Sequence, residues 1–84
     1  MVPALVPDFV VEVMSPSDRP TEAQEKMRAW IANGAKLGWL FDLDGETIYV
    51  YRPGIRVKKL TGVDRIAGDP PIQGFVLNLV DVWS

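Results

Sequence analysis

Asp8-Phe9-Val10-Val11-Glu12-Val13-Met14 places one carboxylate inside a run of β-branched and aromatic residues, directly after Pro7. Such a run favours a strand, because branched side chains pack well on a pleated surface and proline marks its start. Only Glu12 interrupts the apolar character, which predicts a central strand buried on both faces. Side chains alternate across a sheet, so Asp8, Val10 and Glu12 share one face, and Phe9, Val11 and Val13 the other.

Downstream, Ser15-Pro16-Ser17-Asp18-Arg19-Pro20 is dense in turn and cap formers. A helix is expected over 21–33, where Ala23, Met27, Trp30, Ile31 and Gly34 form one apolar stripe. Thr21 and Gln24 have capping-box spacing, with Asp18 as the competing cap, and Asn33-Gly34 supplies the stop. Gly38–Leu43 reads as a second buried strand. Asp44-Gly45 is a two-residue hairpin signal, Glu46–Arg52 the returning strand, and Pro53-Gly54 a tight turn into a third strand, Ile55–Leu60. The lysines of that last strand suit a sheet edge. Thr61–Pro71 reads as loop, and Gln73–Leu79 as a short strand or extended cover ending in one helical turn near Trp83.

Strand, helix, strand and two more strands imply a mixed α/β sheet. The Val10 and Trp39 strands should be parallel and joined by a right-handed crossover. The 84 residues suffice for one domain, and 48% apolar content marks a globular chain. The apolar stretches are too short to cross a bilayer. Met1-Val2-Pro3-Ala4 lacks the basic-then-apolar pattern of a secretion signal, which points to the cytoplasm.

With no cysteine, disulfides, thiolate catalysis and zinc–sulfur sites are excluded. With no histidine, so are the Ser-His-Asp triad, imidazole ligands and a histidine base. Chemistry must run on carboxylates, lysine, tyrosine or a metal held by oxygen. The net charge of −2 argues against a strongly basic nucleic-acid binder. Yet Arg52, Arg56, Lys58, Lys59 and Arg65 concentrate five of the nine basic residues in one stretch. They can meet phosphate, or simply keep an edge strand soluble.

An ionised group among valines costs several kcal/mol or more unless it is compensated, about as strongly as any feature of this chain. Glu12 is therefore either a metal ligand or the partner of a lysine or arginine. Asp8 is on the same face but four residues away, ~13 Å at ~3.3 Å per residue, too far to share one ion directly. It either supports the site from outside the ion's direct ligands or is a turn residue. Lys26, at the border of the helix stripe, either reaches over Glu12 to act on water or phosphate, or pairs with Glu22 at the surface. Trp30, Trp39, Tyr49, Tyr51 and Trp83 fit a core better than a base-stacking platform.

The string Pro7-Asp8-Phe9-Val10-Val11-Glu12-Val13-Met14-Ser15-Pro16-Ser17-Asp18 resembles the signature segment of the Uma family of restriction-endonuclease-like proteins. Gln24-Glu25-Lys26-Met27, the segment Asn33–Asp42, Val50–Gly54 and Gln73–Leu77 agree with it in order. The resemblance implies a PD-(D/E)XK nuclease fold, in which a mixed sheet carries a metal-dependent site for DNA phosphodiester hydrolysis. Glu12 would match the motif acid and hold Mg²⁺ or Mn²⁺. Met14 stands where the motif has lysine, and Lys26 is the migrated replacement. Family members are about twice this length, which makes residues 1–84 a single partial domain. The segment before it would bring a further acidic residue, a likelier partner of Glu12 than Asp8. The alternative is a catalytically silent, homodimeric interaction module built on the same fold.

Overall fold

The computed structural model describes residues 6–83. The opening Met1–Ala4 segment lies outside the described residues. The elements are β1 (Phe9–Met14), α1 (Pro20–Ala32), β2 (Leu37–Asp42), β3 (Thr47–Arg52), β4 (Ile55–Thr61), β5 (Arg65–Ala67), β6 (Val76–Asn78) and α2 (Val80–Trp83). The first four strands form one sheet in the order β1-β2-β3-β4. β1 and β2 are parallel, with Glu12 beside Leu40, and the remaining neighbours are antiparallel. The mixed sheet and the parallel pair around one helix are as expected.

The two faces of this sheet have different covers. On one, α1 lays Met27 onto Leu40 and Tyr51, with Ala23, Trp30, Ile31, Met14 and Tyr49 around them. On the other, Leu37, Trp39, Phe41 and Ile48 pack against Ile66 and Leu79, which come from the chain after β4. Alternation along β2 sends Leu40 to the helix and its neighbours Trp39 and Phe41 to the opposite side. This double burial explains its unbroken apolar sequence. The five aromatic residues singled out above are core or partly buried.

The sequence expectation for β1 is corrected. Among the described residues it is an edge strand, and Val11 and Val13 are 48% and 55% exposed. Its composition belongs to a strand covered on both sides. Here the helix covers only the Val10 and Glu12 face, while Phe9 alone reaches the opposite core through an edge-to-face contact with Trp39, centroids 4.8 Å apart.

Three local expectations also change. The helix begins at Pro20 after Arg19, with no side-chain cap. Asp18 instead accepts the Ser15 N–H at 2.8 Å, closing the turn before the helix, and the Thr21–Gln24 box is not used. The hairpin is not a two-residue turn at Asp44-Gly45. Asp42 pairs with Thr47, so four residues intervene, and Glu46 takes the positive φ of 47°. Asp42 Oδ1 holds the Gly45 N–H at 3.2 Å, and the Thr47 hydroxyl donates to the Gly45 carbonyl at 2.8 Å. Finally, Thr61–Pro71 is not all loop, since β5 pairs with β6 in a two-stranded ribbon over the Trp39 side.

Gly38 marks the tightest helix–sheet approach. A Cβ there would come within 2.6 Å of the Met27 Cε and 3.6 Å of the Tyr51 Cβ. Gly38→Ala should therefore cost about 1–2 kcal/mol, seen as a lower urea midpoint. Methionine's three rotatable bonds keep the cost from being larger. An unchanged midpoint would mean that α1 does not sit this close.

Candidate active site

Glu12 projects from β1 toward α1, where one helical turn presents Lys26. The Lys26 Nζ lies 3.2 Å from the Glu12 Oε1. The Glu12 side chain is 29% exposed, and that of Lys26 60%. The carboxylate thus sits low at the wall of a cleft, and the ammonium closes over it from the solvent side. Of the two readings of Lys26, the reach over the strand is the one the geometry realises. Its ion pair is with Glu12 rather than Glu22.

The cleft, about 170 Å³, is lined by Glu12, Val13, Met14, Asp18, Glu22, Ala23, Lys26 and Leu40. It opens at the C-terminal ends of the parallel pair, where Met14 is aligned with Asp42. Ligands in α/β sheets bind outside these strand ends. Asp18 and Glu22 were read from the sequence as a cap and a surface pair. The Ser15–Asp18 turn brings Asp18 to the cleft instead, and no periodicity could have shown that. Its carboxyl is held below the usual aspartate range, chiefly by the Ser15 backbone N–H, then by the Ser15 side chain, with the Lys26 charge adding to it. Lys26 therefore acts on two carboxylates, Glu12 by contact and Asp18 through its field.

Asp8 is not brought to this site. It is exposed at the other end of β1, its carboxylate 4.0 Å from the Lys36 Nζ. Its backbone carbonyl accepts the Lys36 and Leu37 N–H groups at 2.8 and 3.0 Å, which starts the parallel ladder. Among the described residues, no group of three or more acidic side chains could hold a metal ion. Glu12 is a single ligand, and Mg²⁺ demands a near-octahedral oxygen set. These residues alone do not fit a complete metal centre.

A second depression, about 380 Å³, lies between α1 and the β3–β4 hairpin and is lined by Arg28, Arg52 and Arg56 among others. Buried Tyr51 forms part of its wall. Burial pushes the Tyr51 hydroxyl above the usual tyrosine range, against the lowering effect of the nearby Arg28 charge. Arg52 also donates through Nη1 to the Pro70 carbonyl. Arg65 is not with these residues, since it belongs to β5.

The model of the Uma2 family, described as "Putative restriction endonuclease", matches residues 2–80. The chain belongs to the Uma2 family. A crystal structure of a "putative nuclease belonging to DUF820" from Anabaena variabilis superposes with a TM-score of 0.80 at 25% identity. That match covers 90% of this Uma2 chain and 43% of the other, so the chain spans under half the length of its structural relative. No curated protein matches it. The restriction-endonuclease-like fold is therefore the fold of this chain, and among the described residues no helix is long and apolar enough to cross a membrane.

Proposed function

We propose that this chain carries the acid–lysine half of a DNA phosphodiester-hydrolysing site, Glu12 with Lys26. The observation that supports it most is their 3.2 Å contact at the cleft on the C-terminal ends of β1 and β2. A carboxylate on an apolar strand needs a partner, and the partner beside Glu12 is Lys26, the residue the family resemblance implies as the migrated lysine. Lys26 would neutralise charge developing on the phosphate, because its ammonium already stands at the cleft beside Glu12. The arginine-lined depression on the same face of the sheet offers a place for flanking phosphates.

Mg²⁺ or Mn²⁺ is the cofactor we propose, with Glu12 as the ligand this chain contributes. Asp8, engaged with Lys36, is left out. The rest of the ligand set must come from beyond the described residues of one copy. Titration calorimetry of Mn²⁺ against the wild type and Glu12→Gln tests the assignment. Weak binding should appear in the wild type and fall on the order of tenfold or more, about 1.4 kcal/mol, in the variant. Equal binding in both, or none in either, removes Glu12 from any metal site.

A further inference from the structure

We propose that the depression between α1 and the β3–β4 hairpin binds one nucleotide of an unpaired nucleic-acid strand, its phosphate between Arg28 and Arg56 and its base against the apolar wall beside them. The inference goes beyond the nuclease reading and does not rest on it, because the depression lies on the other flank of α1 from Glu12. At ~100° per residue, Lys26 and Arg28 leave the helix on opposite sides of the buried Met27. Lys26 meets β1, and Arg28 lines the depression toward β3 and β4. Every lining residue belongs to the segment 28–57, so one continuous stretch of chain builds the site.

A bulge supplies the second arginine. Val50 packs on the Trp39 side of the sheet and pairs with Lys58, so strict alternation would send Arg56 to that side as well. The register shifts here. Arg52 pairs with Ile55, which leaves Arg56 and Val57 together opposite Tyr51. Tyr51 packs on the α1 side, and the two bulged residues join it there, at the wall of the depression. Arg56 is thereby turned toward Arg28. Bulges commonly re-aim a side chain in this way beside a functional site.

The chemistry of the wall selects the occupant. No carboxylate lines it, and among the described residues neither arginine is held in an ion pair. Two guanidiniums on one wall repel unless an anion stands between them, and their planar forks match the oxygens of a phosphate. The Arg28 charge is already felt at the Tyr51 hydroxyl. Ile31, Ala32, Tyr51 and Val57 make the rest of this wall apolar. Inorganic phosphate would leave that surface wet, and a duplex keeps its bases stacked inside. An unpaired strand brings an anion and a base face together, and guanidinium and apolar surfaces accept both. The volume of about 380 Å³ lies within the ~300–1,000 Å³ of ligand pockets.

Fluorescence anisotropy in EDTA tests this, with a labelled oligothymidylate about ten nucleotides long and a duplex of equal length. The unpaired strand should bind at least about tenfold tighter than the duplex. Arg28→Ala and Arg56→Ala should each weaken binding about tenfold and reduce the salt slope by about 0.7. Both side chains are exposed, so far-UV circular dichroism should not change. Lys58→Ala removes a charge from the opposite face and should stay within about twofold of the wild type. Val57→Ser should narrow the preference for the unpaired strand. An equal or tighter grip on the duplex overturns the proposal, as does the absence of binding. So does a loss in Lys58→Ala that matches the arginine variants, or full affinity in Arg56→Ala. With divalent cations removed, none of these outcomes depends on the Glu12 site.

Discussion

Trp39→Ala is expected to remove most of the stability of this chain, about 3–5 kcal/mol. Trp39 is 1% exposed at the centre of the sheet face turned away from α1. Its ring meets Phe9 at 4.8 Å, Phe75 at 6.1 Å and Phe41 at 6.3 Å, joining the sheet to the chain that covers it. Alanine would leave a cavity bounded by three different segments that cannot all collapse inward. A domain of 84 residues has roughly 4–13 kcal/mol in total, at ~0.05–0.15 kcal/mol per residue. Urea unfolding should show the midpoint falling by about 1–3 M, or no cooperative transition at all. Trp39→Phe separates packing from polarity. The indole N–H is buried with no acceptor among the described protein atoms. Phenylalanine keeps an aromatic ring and removes a donor that costs about 1–3 kcal/mol when unsatisfied. It should be the milder variant by at least ~2 kcal/mol. Equal losses for alanine and phenylalanine would show that the ring contacts do not hold the two layers together.

The parts of this fold that were legible in the sequence are those set by local pattern. The stripe ending in Met27, Trp30 and Ile31 defines α1, and the unbroken Leu37–Phe41 run defines β2. Pro53-Gly54 places a turn that the structure keeps, with Gly54 at φ 70°. What was not legible depends on partners distant in the chain. Arg65–Ala67 is a strand only because Val76–Asn78 lies beside it, and three residues carry too little pattern to announce that. The Asp44-Gly45 signal is real chemistry, but the Asp42 side chain captures the Gly45 N–H and moves the left-handed position to Glu46. β1 is the instructive case. Its valines describe burial on both sides, a state that the described residues do not provide.

The candidate site divides in the same way. Glu12 stands out because an acid in an apolar strand is a local anomaly, and its partnership with Lys26 follows from packing a crossover helix on its own strand. The arrival of Asp18 at the cleft depends on the Ser15 turn, which sequence spacing does not reveal. Asp8 shows the limit of face arithmetic. Sharing a face with Glu12 does not bring it nearer, because the strand is extended and its own neighbour is Lys36.

Lys26→Met should lower the rate of plasmid cleavage in the presence of Mn²⁺ by about 10²–10³-fold, while changing stability by no more than ~1 kcal/mol. The two numbers differ because they measure different things. The ammonium is mostly exposed and its pair with Glu12 is screened by water, so folding gains little from it. A phosphate bound at the cleft would exclude that water, and the same charge would then act at short range on a dianionic, phosphorane-like transition state. Methionine keeps an apolar stem of similar length in the cleft that Met14 and Leu40 also line, so packing is held nearly constant. Lys26→Arg keeps the charge and should recover part of the rate, although a planar guanidinium cannot occupy the same point beside the Glu12 Oε1. Cleavage rates in all three proteins, set against their urea midpoints, decide the role. A rate that falls only in proportion to stability would make Lys26 a structural partner of Glu12. No cleavage by the wild type under these conditions would overturn the proposed activity, leaving the Glu12–Lys26 contact as an ion pair that tethers α1 to the edge of the sheet.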